Sequence, residues 1–100
     1  NPRPLVKIRF DKQNVSYEQP VYMALSEAME KYPTARFEMV AVYPTQGNAA
    51  QLSIESTKAR RNAEKVLRAM TQMGLPMDKM DISYSSSAAV TDNEVHIYIR

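Results

Sequence analysis

The patterned part of the chain opens with an alternation, Val6, Ile8 and Phe10 against Lys7, Arg9 and Asp11. A period of two predicts a strand with one wet face. Asp11 to Val15 is polar and reads as a loop. Ser16 and Gln19 then stand at capping-box spacing, with Pro20 in the first turn, where its missing N–H costs least. Tyr17, Val21, Ala24, Leu25, Ala28, Met29 and Tyr32 recur at helical spacing, opposite Ser26, Glu27, Glu30 and Lys31. Pro33 ends this first helix. Phe37 to Tyr43 is apolar on both faces, which predicts a central strand covered on both sides, and Pro44 ends it. Thr45 to Gln51 reads as a loop turning at Gly47-Asn48. From about Ile54 a second helix carries Ala59, Ala63, Val66, Leu67 and Met70 along one stripe and stops at Gly74, with Pro76 just beyond. Met80, Ile82 and Tyr84 alternate with Asp81, Ser83 and Ser85 in a third strand. A small polar connection runs to Asn93, and Glu94 to Arg100 alternates again with Val95, Ile97 and Ile99 inward.

The order β-α-β-α-β-β predicts an α/β two-layer sandwich. Its sheet is mixed, both helices cover one face, and the last two strands are free to pair as a hairpin. One hundred residues, 44% hydrophobic and 24% charged, suffice for one domain, residues 5–100, and not for two. Asn1-Pro2-Arg3-Pro4 reads as the remnant of a linker, so the domain is expected to belong to a longer protein. No apolar run approaches the ~18 residues of a membrane-spanning helix, so no transmembrane segment is expected.

Candidate chemistry is sparse. Zero Cys excludes disulfides, thiolate metal ligands and a Cys nucleophile. His96 is the single histidine and reads as a solvated residue on the strand face turned from the core. Alone it makes no usual transition-metal site. The hydrolase elbow, zinc-protease and phosphate-loop motifs are missing, and two glycines leave no Gly-rich cradle. The expectation is a non-enzyme with no cofactor and no metal. A net charge of +2, from 13 basic and 11 acidic residues, is too balanced for a general nucleic-acid binder. Tyr43, Tyr84 and Tyr98 keep an RNA-binding α/β module as a further alternative, although the common module of that kind has a strand pair between its helices and this order has none.

Lys58, Arg61, Lys65 and Arg68, with Arg60 beside them, form a basic stripe on the second helix. Its plainest reading is a solvated face, supported by a Glu64–Arg68 pair worth about 0.3–0.5 kcal/mol. Placed near the helix start, Lys58 and Arg60 oppose the dipole. That local misfit marks the stripe as a candidate surface for an anion or an acidic partner. Met73, Met77 and Met80 surround the Gly74 turn and read as packing under the helix end.

The stretch from Ser56 to Met80 resembles the OmpA-like family. There a helix with small and apolar positions, matched here by Ala63, Val66 and Met70, leads into a turn. The turn has the form Gly, Ile or Val, Pro, two variable residues, Arg or Lys, then Ile or Val. Gly74-Leu75-Pro76-Met77-Asp78-Lys79-Met80 stands at that place. Asn93 to Ile99 is similar to the family's closing strand, and Val6 to Asp11 to its opening one. The resemblance implies a periplasmic module of a larger envelope protein, anchored non-covalently to peptidoglycan. In that family an Asp after the second strand meets the ammonium of diaminopimelate, and an Arg of the second helix meets a carboxylate, for which its planar fork is suited. Here Gln46, after Thr45, stands for the Asp, and Asn62 for the Arg, with Arg61 one step earlier. Glu94 stands where an Arg is common in the closing strand. At about 1.5–3 kcal/mol per charged hydrogen bond, losing both is expected to weaken wall binding by several kcal/mol. The expected role is protein–protein assembly in an envelope or secretion complex, with ordinary peptidoglycan binding weakened or lost. The sheet edges, the Thr45–Gln51 loop and the basic stripe are the candidate contacts. The alternative keeps peptidoglycan as ligand, in a rearranged pocket of Thr45, Gln46, Arg61 and Asn62.

Overall fold

The computed structural model describes residues 3–100; Asn1 and Pro2 of the expected linker remnant lie outside them. The elements are β1 (Val6–Arg9), α1 (Glu18–Lys31), β2 (Phe37–Pro44), α2 (Ala49–Gln72), a 3-10 turn (Met77–Lys79), β3 (Met80–Ser87) and β4 (Glu94–Ile99). They build the expected two-layer α/β sandwich. The mixed sheet has the order β1-β4-β2-β3, with β4 antiparallel to both neighbours and β2 parallel to β3.

The β3–β4 hairpin does not form. β4 inserts between β1 and β2, where its inward Val95 and Ile97 are completely buried. Serine-rich β3 is left at the edge, where its alternate polar side chains stay wet. Burying the more apolar strand at the centre removes more apolar surface from water. Both helices dock on one side. Val21, Leu25 and Ala28 of α1 join Ala59, Ala63, Val66 and Met70 of α2 over Ile8, Phe37, Met39, Ala41, Val95 and Ile97. β2 is therefore central in pairing but layered on one side only, against expectation. On its other face Val42 is sheltered within the sheet, between register partners Ser85 and Glu94.

Both helix starts differ from expectation. Tyr17 occupies the N-cap of α1 and no side chain caps it, so the Ser16–Gln19 box is not made. The Glu18 carboxylate instead accepts from the Tyr17 N–H at 3.1 Å. α2 begins at Ala49, earlier than the apolar stripe indicates, because Asn48 and Gln51 close a reciprocal capping box at 2.9 Å each way. Lys58 and Arg60 are consequently well inside the helix, and the dipole argument against them falls. Among the described residues Glu64 and Arg68 make no ion pair; the pair on this helix is Lys58–Glu55, at 3.1 Å. At its other end the Leu75 N–H reaches the Met70 carbonyl and Gly74 that of Thr71, a Schellman closure with Gly74 at φ +81°. Met73, Met77 and Met80 pack partly buried against the core around this turn.

Candidate functional site

Two adjoining depressions lie beside α2. The first, about 240 Å³, is lined by Lys12 from the β1–α1 loop, by Glu55, Lys58, Asn62 and Lys65, and by Thr91, Asp92 and Asn93 ahead of β4. The four α2 residues follow one another at three- and four-residue spacing, which places them on one helix face. The second, about 350 Å³, is lined by Pro44, Gln46, Gly47 and Gln51, and shares Glu55 and Thr91 with the first. The two adjoin at Glu55 and Thr91, and we refer to them together as one shallow cleft with two halves.

Its carboxylates are already engaged, Glu55 with Lys58 at 3.1 Å and Asp92 with Arg9 at 3.4 Å. Lys12 and Lys65 make no ion pair among the described residues, so the unsatisfied charge of the cleft is positive. Two buried amides stand between these groups, Asn62 at 9% and Asn93 at 5% exposure. Asn93 ties the wall together: its Nδ2 donates to the Glu55 carbonyl at 3.1 Å, and its own carbonyl accepts from the Phe10 N–H at 2.9 Å. Its Oδ1 is buried with no hydrogen-bond partner among the described residues. A buried acceptor left alone costs about 1–3 kcal/mol, which makes it the least satisfied polar atom in this wall.

Of the four residues expected to form a ligand pocket, Gln46 and Asn62 are brought to the cleft, one in each half. Thr45 lines neither half; it is exposed, with its N–H donating to the Ser87 carbonyl at 3.3 Å. Arg61 is exposed and lines neither half, since one residue along a helix turns the side chain about 100°. The basic stripe divides. Lys58 and Lys65 line the cleft, Arg60 lies 4.7 Å over the Tyr84 ring on the β3 side, and Arg61 and Arg68 are exposed. Arg68 also acts on Tyr17, whose phenol is raised by burial and then by Glu18, against the opposing pull of Arg68. Lys12, Glu55, Thr91, Asp92 and Asn93 had no signature in the sequence except that Glu55 shares a helix face with Asn62.

The open face of the sheet holds a second polar group. His96 Nε2 is 2.7 Å from Glu94 Oε1, and its Nδ1 is 3.3 Å from the Tyr98 hydroxyl. The His96 and Glu94 side chains are only 14% and 10% exposed, so His96 is a sheltered, bonded residue and not the solvated one expected. Among the described residues no group of three or more His, Asp or Glu side chains is placed to hold a metal ion, and no helix is long and apolar enough to cross a membrane.

No family model matches the chain, and no curated protein does. Among solved structures, 2C-methyl-D-erythritol-2,4-cyclodiphosphate synthase is similar at a TM-score of 0.42 and 10% identity, over 88% of this chain and 54% of that one. The chain thus spans about half the length of that enzyme's chain. A likeness this weak carries no inference about activity.

Proposed function

We propose that this chain is a non-catalytic, OmpA-like module of a bacterial envelope protein. It works in the periplasm by protein–protein assembly, with ordinary peptidoglycan binding weakened or lost. One observation carries the reading. Gln46 and Asn62, the positions at which the resembled family holds its two charged groups, line the two halves of a single cleft as neutral amides. Their placement in adjoining depressions on one side of the molecule supports the kinship of architecture, and their neutrality supports the loss of grip. The nearby carboxylates, Glu55 and Asp92, are paired with Lys58 and Arg9 and come from positions other than that of the missing Asp. Co-sedimentation with purified peptidoglycan tests the reading. The chain is expected to stay in the supernatant, and pelleting that free diaminopimelate competes away overturns it.

A second reading keeps the wall peptide as ligand, held by different residues. Its support is Lys12 and Lys65, donors for a carboxylate that make no ion pair among the described residues, in the same cleft as the amide of Asn62. Chemical-shift titration with a stem peptide separates the two. Saturable shifts confined to Asn62, Lys65 and Asn93 favour the second reading, and their absence at millimolar peptide removes it.

A further inference from the structure

We propose that the free edge of β3 is a docking edge for an extended, acidic segment of a protein partner, added as a fifth strand to the four-stranded sheet. The proposal rests on the assembly reading and gives that assembly a surface and a partner chemistry. Among the described residues β3 is hydrogen-bonded on one side only, to β2. The Ser87 carbonyl accepts from the Thr45 N–H, so Ser87 aims its backbone groups at β2. Alternation along the strand then aims the N–H and C=O groups of Ile82, Tyr84 and Ser86 outward, at the open edge, where the Ser86 carbonyl accepts from the Ser85 hydroxyl at 3.3 Å.

Exposed edges are normally guarded by shortness, Lys, Pro or bulges, because their free backbone groups template pairing with another chain. The opposite edge follows this rule: β1 has four residues and carries Lys7 and Arg9. β3 does not. It has eight residues, no Pro and no Lys, and its one charge, Asp81, lies near its start and is held by Arg36 at 3.1 Å. Ser85, Ser86 and Ser87 keep the far half wet without a charge that would repel a partner backbone. The result is a long edge that is ready to pair yet not greasy.

The side chains beside it say what should pair. Ile82 and Tyr84, on the helix side of the sheet, are 38% and 40% exposed. Arg60 stacks 4.7 Å over the Tyr84 ring and has no ion-pair partner among the described residues. An added strand places its nearest helix-side residue about 5 Å from Tyr84, within reach of that guanidinium. A carboxylate there gains a charge-assisted, two-pronged hydrogen bond. The fitting segment therefore alternates, with an apolar residue beside Ile82 and an acidic one beside Tyr84. A second copy of this chain fits less well, since antiparallel pairing of β3 with itself puts the two Arg60 side chains on the same side of the joined sheet, like charge toward like, with no carboxylate for either.

The probe is a synthetic acetylated peptide, Thr-Val-Thr-Glu-Thr-Val-Thr, titrated into the isotope-labelled protein and followed by amide NMR. Saturable shifts and slowed amide exchange are expected at Ile82, Tyr84 and Ser86. Ser86→Pro removes one outward N–H at a place where proline is tolerated in a strand. It should keep a folded spectrum and bind about tenfold more weakly, the equivalent of one lost backbone bond. The peptide with Lys in place of Glu should bind several-fold more weakly, and Arg60→Glu should invert that preference. The proposal is overturned by no shifts at millimolar peptide, by unchanged affinity in Ser86→Pro, or by shifts centred on the cleft. Concentration-dependent self-association through this edge without peptide also overturns it, by assigning the edge to a second copy. None of these results depends on peptidoglycan pelleting, which tests the assembly reading separately.

Discussion

Glu94 Oε1 stands 2.7 Å from His96 Nε2 on the open face of the sheet, and Arg9 Nε is 3.8 Å from the other carboxylate oxygen. The side chains come from alternate positions of β4, so the strand itself sets their spacing, and both are nearly as sheltered as core residues. His96→Ala leaves the Glu94 carboxylate with a distant guanidinium as its remaining partner. The loss should be about 1–3 kcal/mol, read as a lower urea midpoint with an unchanged slope. A change below about 0.5 kcal/mol would mean that the imidazole is free in solvent after all.

Tyr17 gives the fold an alkaline limit. Burial first, and Glu18 second, hold its phenol above the ordinary value of 10.0, with Arg68 opposing. Between that value and the raised one, the unfolded chain has released its proton while the native chain keeps it. Stability is therefore whole below pH 10.0 and falls as pH rises toward the native value. Tyr17→Phe should flatten this decline in urea midpoints measured across the alkaline range. Arg68→Met should move the phenol further up, read by ultraviolet difference titration.

The two glycines of the chain should respond unequally to substitution. Gly74, at φ +81°, has open space where a Cβ would stand, so Gly74→Ala meets only the left-handed backbone cost of about 1–2 kcal/mol. Gly47, at φ +107°, would drive its Cβ into the Gln51 side-chain oxygen. That oxygen is half of the capping box of α2, worth about 0.5–2 kcal/mol more. Gly47→Ala is thus the more damaging change, and thermal unfolding of the two variants should rank them so.

Much of the fold was legible because it is periodic. β1 and β4 alternate, and the stripes of α1 and α2 identify the residues that meet in the core. The strand order was not legible, because the insertion of β4 between β1 and β2 depends on partners far away in the chain. The helix starts show the limit of local spacing. Ser16–Gln19 and Asn48–Gln51 have the same three-residue separation, yet only the second closes a box. At the first, Tyr17 packs its ring 6.0 Å from Phe10 and the helix begins after it. The cleft was half legible. Gln46 and Asn62 were located through a family resemblance, whereas Lys12, Thr91, Asp92 and Asn93 reach the same cleft from segments distant in sequence. Arg61 was misplaced, because adjacency in sequence is not adjacency on a helix face.

Restoring the charges gives the sharpest test of the central claim, that the skeleton of a wall anchor persists without its ionic grip. The pair Gln46→Asp and Asn62→Arg puts an acid and a guanidinium into the two halves of the cleft, at the positions where the proposed kinship calls for them. In co-sedimentation with purified peptidoglycan, the unaltered chain should remain soluble and the double variant should pellet, with free diaminopimelate releasing it. If the unaltered chain already pellets and diaminopimelate releases it, the claim is contradicted.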